Sequence, residues 1–447
     1  MAESVMVMGS QVSGARSKRY LKQLKGAFVF KMLALMASFL IIPIMIKYLG
    51  AIKYGIWSTL LSILSWVLMF DLGIGNGLRN RISESIAKND LVSVRKYIST
   101  AYVSIGLGAV CIGGLFFIGS EYIPWNRVFN TEIITNKELK FVVNISMFFV
   151  LVNFLLSLIN QVLNAVQKAE QTIFNQFLSN VLSLTFVYAL YLYTESSMEY
   201  LAFSYGISIF ISNSIFSIWF YKSNPDFTPS FSFVRKNRLV DTLALGLRFF
   251  VIQIAVVVLF TTDKLMITQL LGPAYVTSYD VVFKLFTVIT IIHGIIVAPL
   301  WTSYSDAFHR GDYTWMRTMM NKQLQAFGII FLGILVLSLI SPFVIEIWVG
   351  EIPHLDNKLI YFLAVFTFFL TWNNVFAIFL NGINETKLQM RTAIVASVIN
   401  IPLSVFFVKY FNMGVEGVVL GTILALSIFA FFGPYESYKL LYKVKND

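Results

Sequence analysis

The stretch Phe70-Asp71-Leu72-Gly73-Ile74-Gly75-Asn76-Gly77-Leu78-Arg79-Asn80-Arg81 decides how the chain is read. An apolar run from Ile56 to Phe70 arrives at an aspartate, then meets three glycines at alternate positions, then two arginines. Glycine at that density loosens a helix end and lets other backbone approach. Asp71 falls in or near hydrocarbon, where an ionisable group is costly and marks a functional position. Arg79 and Arg81 place this end on the cytoplasmic side. The same residues also suit an ordinary helix terminus, a glycine cap followed by surface basics. The functional reading is a hinge at the cytoplasmic mouth of a membrane pathway, with Asp71, Gly73, Gly75 and Gly77 in coupling or gating roles.

Outward from that stretch the chain is apolar throughout. Its 447 residues are 57% hydrophobic and 13% charged, against about 25% charged in soluble domains. Apolar runs of about 20 residues recur, the length that crosses a bilayer as helix. The expected fold is all-α and polytopic, with about twelve spans near 27–49, 55–77, 97–119, 141–165, 172–193, 200–221, 243–271, 279–301, 324–348, 359–381, 390–410 and 415–438. The basic tail 1–26 is followed by an apolar run too long for a signal-peptide core, so it reads as a cytoplasmic tail before an uncleaved first span.

Charge orients these spans. With both termini cytoplasmic, 23 of the 34 Lys and Arg fall inside, 7 outside and 4 within spans, the bias that a cytoplasmic excess of basic residues demands. The net charge of +11 then needs no nucleic acid to explain it. The one cysteine, Cys111, sits in an apolar run and forms no internal disulfide. The three histidines are scattered, and no metal-ligand spacing, nucleophile elbow or phosphate loop occurs. Neither a cofactor nor a catalytic role is expected.

A basic stretch with Pro225 and Pro229, residues 222–241, divides the chain into six-helix halves at 27–221 and 242–447. Leu49-Gly50 corresponds to Leu271-Gly272, and Leu163-Asn164 to Leu380-Asn381. Halves with an even number of spans share one orientation, as parallel transporter repeats do, and such a pair encloses a midplane cavity.

Polar residues inside the spans form two rows. Asn153, Ser157, Asn160 and Asn164 share one helical face, as do Thr367, Thr371, Asn374 and Asn381 in the second half. Interhelical hydrogen bonding accounts for such rows; so does a wet wall of neutral donors and acceptors suited to sugar hydroxyls. Among in-span charges, Lys31 and Arg248 lie near the cytoplasmic boundary and can snorkel, while Asp280 and Lys284 form an i,i+4 pair. Asp263 and Lys264 are adjacent and so point about 100° apart. At least one of them needs a partner on another helix or water in a cavity. Pro43, within the first span, is the expected site of a bend that moves, a coupling or gating position.

The order Pro43, Tyr48-Leu49-Gly50, Tyr54-Gly55, Asp71-Leu72-Gly73-Ile74-Gly75-Asn76 resembles the opening of the O-antigen flippases called Wzx. Asp263 followed by Leu271-Gly272 and Tyr279 is similar to the start of their second half. The resemblance places the chain among the MATE-like flippases. It implies movement of an undecaprenyl-diphosphate-linked oligosaccharide from the cytoplasmic to the periplasmic face of the inner membrane, by alternating access. The partners it implies are that lipid-linked substrate, membrane lipids and other polysaccharide-assembly proteins. A diphosphate needs cations, which puts Lys31, Arg248 and Lys264 at the headgroup. The Asn, Ser and Thr rows would line the glycan. Asp71 and Asp263 become candidates for coupling to a proton or ion gradient. A cation or drug antiporter of the same superfamily is the alternative, followed by a membrane enzyme of polysaccharide assembly, which the short loops and isolated histidines disfavour.

Overall fold

In lipid every backbone N–H and C=O must be satisfied within the protein, so long apolar runs become helices. The computed structural model describes residues 2–67, 74–241, 257, 261–297 and 299–443, and no strand occurs among them. Asp71, Gly73 and Arg248 lie outside the described residues. The first half contains α1 (Ala2–Val67), α2 (Ile74–Ala87), α3 (Leu91–Ser120), α4 (Trp125–Val128), α5 (Asn136–Leu156), α6 (Leu158–Ala165), α7 (Ala169–Tyr193) and α8 (Met198–Ser223). After the linker come a helix at 261–270, then α9 (Pro273–Val297), α10 (Leu300–His309), α11 (Tyr313–Trp348), α12 (Asn357–Gly382), α13 (Lys387–Tyr410) and α14 (Val415–Lys443).

Ten described segments are long and apolar enough to cross a membrane. One of them, Phe28–Val67, has 40 residues, about 60 Å of helix against a hydrocarbon core of about 30 Å. It therefore accounts for two spans. The expected span 243–271 lies mostly outside the described residues, and its end at 261–270 is helical. The architecture is an all-α, polytopic bundle of about twelve spans.

The division of α1 falls at Gly50, whose φ of 76° and ψ of 163° are not helical. That combination is open essentially to glycine alone. Gly272, its counterpart in the second half, also has positive φ (113°) and separates the 261–270 helix from α9. The helix runs through Pro43 and breaks seven residues later. Loss of one backbone hydrogen bond at proline bends a helix, whereas a residue off the helical dihedrals redirects it.

The chain groups into two compact units. Unit 1 comprises the described residues of Met1–Tyr48, Val67–Ile123 and Asn136–Phe250; unit 2 those of Leu49–Trp66, Pro124–Thr135 and Val251–Asp447. Unit 2 thus takes in residues 49–66, which precede the linker in sequence. Contacts within the unit explain this. The Gly55 backbone lies so close to Pro273 O that an added Cβ would be 1.8 Å away. Thr277 donates to Ala51 O at 2.6 Å, and Thr59 shares a hydrogen bond of 2.6 Å with Thr268.

In unit 1 the linker is packed rather than free. Ser230 N donates to Ser99 Oγ (3.0 Å), Arg235 N to Thr100 Oγ1 (3.0 Å), and Arg95 Nε to Thr228 O (2.8 Å). All three receiving or donating residues on the helix side lie near the start of α3, which Asp90 caps by accepting from Ser93 N at 2.9 Å. Hydrogen bonds from the Ser93 side chain and then its backbone hold the Asp90 carboxyl below its ordinary range.

Candidate functional site

Asp263 and Lys264 face different neighbours in unit 2, as adjacent residues on a helix must. Asp263 is 2% exposed. Its carboxylate accepts from Tyr279 Oη at 3.2 Å and from Thr422 Oγ1 at 3.0 and 3.1 Å. Thr422 in turn accepts from Asn400 Nδ2 at 2.8 Å. Among the described residues no cation forms an ion pair with Asp263. Its partners among the described side chains are hydroxyl groups.

Lys264 finds its partner on another helix. Its ammonium forms an ion pair with Asp280 on α9 and donates to Ser58 Oγ at 2.8 Å. Tyr54 Oη donates to the second oxygen of Asp280 at 2.6 Å. The pair is mostly withdrawn from solvent, with side chains 20% and 14% exposed. Lys264 is therefore held inside the unit rather than extended to a lipid headgroup. Its acid is Asp280, which the sequence alone matched with Lys284.

The first polar row closes upon itself in unit 1. Asn213 donates to Asn153, and Asn160 donates to Asn213 Oδ1 at 3.3 Å. Asn175 of α7 donates to Asn160 Oδ1 (2.9 Å) and to Asn213 Oδ1 (2.7 Å), and accepts from Ser212. Thr172 donates to Asn164 Oδ1 at 3.3 Å, and Ser157 returns its hydroxyl to Phe154 O at 3.2 Å, at the break between α5 and α6. The amides of Asn153, Asn160, Asn175 and Asn213 thus bond one another between helices, while Ser157 bonds its own turn.

The second row is open. In unit 2 a cavity of about 360 Å³ is lined by Thr371 and Asn374 of α12, with His293 of α9 and Gln389 of α13. Asn373, Thr290 and Thr392 add further neutral polar groups, and Phe429 and several alanines and leucines supply apolar wall. Asn374 Nδ2 lies 3.4 Å from His293 Nδ1. Among the described residues no charged side chain lines it. Asn381 is partly buried but stands apart from this lining. His293, Asn373 and Gln389 were not singled out from sequence. The signal that was available is the adjacent amide pair Asn373-Asn374 in an otherwise apolar helix.

The remaining expected positions are dispersed. Lys31 is exposed on α1, while Gly75 and Gly77 are buried at the start of α2. Among the described residues no group of three or more His, Cys, Asp and Glu is placed to hold a metal.

Residues 24–301 match the family described as polysaccharide biosynthesis protein, and residues 249–406 match the MatE family. A Salmonella typhi protein named as a candidate O-antigen transporter is 23% identical over 412 residues, covering 89% of this chain and 91% of the relative. A Yersinia pseudotuberculosis protein named as a candidate O-antigen export protein is 21% identical over 402 residues, covering 89% and 91%. Among solved structures, a multidrug resistance MATE family transporter in an inward-facing conformation superposes with a TM-score of 0.79 at 14% identity, covering 93% of this chain and 96% of the other. A MOP superfamily transporter from Pyrococcus furiosus gives 0.63 at 15% identity, covering 95% and 96%. These superpositions establish the MATE-like fold.

Proposed function

We propose that this chain, which belongs to the polysaccharide biosynthesis protein family, is a flippase for lipid-linked O-antigen or a similar polysaccharide repeat unit. It carries undecaprenyl-diphosphate-linked units from the cytoplasmic to the periplasmic face of the bacterial inner membrane by alternating access, and it is a transporter rather than an enzyme. Both termini lie in the cytoplasm, as the charge bias requires. The observation that carries this reading is the end-to-end similarity to proteins named as O-antigen transporters, about nine-tenths of both chains. What is shared is the whole membrane body, not one module.

The residues divide the work by chemistry. Lys31, Arg248 and Lys264 are the cations for the diphosphate, with Lys264 already pinned in place by Asp280 and Ser58. Thr371 and Asn374 offer the glycan neutral hydrogen-bonding groups. Asp263 would couple transport to a gradient; supporting that role, its buried carboxylate sits among hydroxyls and would change partners on taking a proton or an ion. That same carboxylate favours the second reading, a cation or drug antiporter. The substrate distinguishes the two.

A strain lacking this chain and any other flippase should accumulate lipid-linked repeat units on the cytoplasmic face, and the wild-type chain should restore their appearance at the periplasmic face. Unchanged export in that strain would reject the reading. Export unaffected by the chain, with gradient-driven efflux of organic cations from vesicles that contain it, would establish the antiporter instead.

A further inference from the structure

The linker between the halves is pinned to α3, and the place where it is pinned sets its depth. From Tyr97 to Ser120, α3 carries 24 residues without a charge, bounded by Lys96 and Glu121. As helix these measure about 36 Å, against a hydrocarbon core of about 30 Å. Ser99 and Thr100 therefore stand at the edge of the hydrocarbon. They are the residues that accept from Ser230 N and Arg235 N, each at 3.0 Å. Residues 230–235 thus lie at the level of the bilayer surface, not free in the aqueous phase.

Three phenylalanines reach this part of unit 1, and two are spoken for. Phe227 packs edge-on against Phe220, ring centroids 5.7 Å apart. Phe233 lies 4.4 Å beneath the Arg95 guanidinium. Phe231, between them in sequence, is 85% exposed. Slack in the chain does not account for it, because the bonds at Ser230 N and Arg235 N hold the backbone on both sides of a 3₁₀ turn at Phe231–Phe233. A ring held out of the protein at this level is buried only if the acyl boundary receives it.

The charge beside it is of one sign. Arg235 and Lys236 are exposed and, among the described residues, form no ion pair. Arg238 meets Asp241 at 3.7 Å, and the linker's other acid, Asp226, stands nine residues before Arg235. Arg235 Nη1 donates to Ser232 O (3.0 Å) and Val234 O (2.7 Å). Those bonds hold the guanidinium against the turn that carries Phe231 and leave three of its five N–H groups for an anion. An apolar ring with cations one turn away is the chemistry of an anchor on an anionic membrane surface.

We propose that residues 231–236 form an anionic-phospholipid site: Phe231 enters the acyl boundary of the cytoplasmic leaflet, and Arg235 and Lys236 hold the phosphate of a phosphatidylglycerol-type headgroup. A zwitterionic headgroup offers the same phosphate but adds an ammonium that both cations repel. The cargo has no part in this recognition. The site stands whether the chain carries a saccharide or an organic cation, and only the choice of leaflet rests on cytoplasmic termini.

The test uses the full chain with Cys111→Ser. A nitroxide on Phe231→Cys, in nanodiscs of phosphatidylcholine and phosphatidylglycerol with one chain per disc, reports its depth by collision with oxygen and with a water-soluble nickel chelate. Oxygen should dominate. Free access of the chelate would overturn the proposal, and so would shielding that arises only with two chains per disc, which would give the face to a second copy. With Phe231 restored, native mass spectrometry measures the tightest-bound phosphatidylglycerol. Arg235→Gln with Lys236→Gln should weaken it about fivefold for each cation removed, and leave phosphatidylcholine unaffected. Lys387→Gln with Arg391→Gln removes the same charge from exposed positions elsewhere and should change nothing. Equal losses in the two double variants, or none in either, would reject the site. The backbone bond from Arg235 to Thr100 survives these changes, and thermal unfolding confirms that the variants are folded.

Discussion

The two polar rows look alike in sequence and differ in outcome. In unit 1, Asn153, Asn160, Asn175 and Asn213 use their amides on one another, and Asn175 and Asn213 are only 3% and 5% exposed. In unit 2, Thr371 and Asn374 stand beside a hollow in which Asn373 and Gln389 each keep an unused acceptor. Equal periodicity thus yields a closed knot in one place and an open wall in the other. The difference lies in the facing helices. α7 and α8 bring amides to meet amides, whereas α13 and α14 bring alanines, a leucine and a phenylalanine with only Gln389 and Thr392 among them.

Closed clusters should register as stability and the open wall as function, and the largest effect belongs to the ion pair. Lys264→Met leaves the Asp280 carboxylate mostly buried without its cation. Removing one partner of such a pair costs about 3 kcal/mol. Thermal unfolding in nanodiscs should show that loss, and Lys264→Met combined with Asp280→Leu should recover much of it. Export per folded molecule should fall in both variants, because Lys264 also serves the diphosphate; a double variant that exports like the wild type would leave Lys264 a structural group alone.

Asn175→Leu comes next. It strands the Asn160 acceptor and leaves Asn213 Oδ1 only the longer bond from Asn160, while Ser212 keeps the residue 175 carbonyl, in a membrane setting where single interhelical bonds are worth roughly 0.6–2 kcal/mol. A loss of about 2 kcal/mol is expected, with export per folded molecule unchanged. If export per folded molecule falls while unfolding stays put, the knot in unit 1 is a transport wall and the contrast between the rows fails.

Span count and fold class were readable from the sequence, because hydropathy over about 20 residues reports directly on the solvent a helix faces. The need of Asp263 or Lys264 for a partner elsewhere was readable too, since adjacent helical residues cannot face each other. Which acid Lys264 meets was not. Asp280 reaches it because the chain turns at Gly272 and returns along α9, and i,i+4 spacing had drawn attention to Lys284 instead. The cavity was half visible. Thr371 and Asn374 were on the expected face, but His293 meets Asn374 across 81 residues of sequence, a separation that no local pattern encodes. Likewise Pro43 is a conspicuous letter in an apolar run, yet the dihedral break belongs to Gly50, which has the quieter signal of a glycine after Tyr48-Leu49.

The smallest expected effect tests whether the halves repeat in more than hydropathy. Among the described residues, chain neighbours aside, no atom lies within 4 Å of where a Cβ would sit on Gly50 or on Gly272, so substitution there reports chiefly on backbone. Gly50→Ala and Gly272→Ala should each cost about 1–2 kcal/mol, the range for an L-residue forced to positive φ. Gly50→Asn supplies the sharper control. Asparagine tolerates the left-handed helical region, where a conventional helix cap lies, but not the extended conformation with positive φ that Gly50 adopts. Asparagine should therefore fare no better than alanine at Gly50. Rescue by asparagine, read as recovery of the unfolding temperature, would mean that the first half ends its helix by an ordinary cap and that its likeness to the second half stops at the letter.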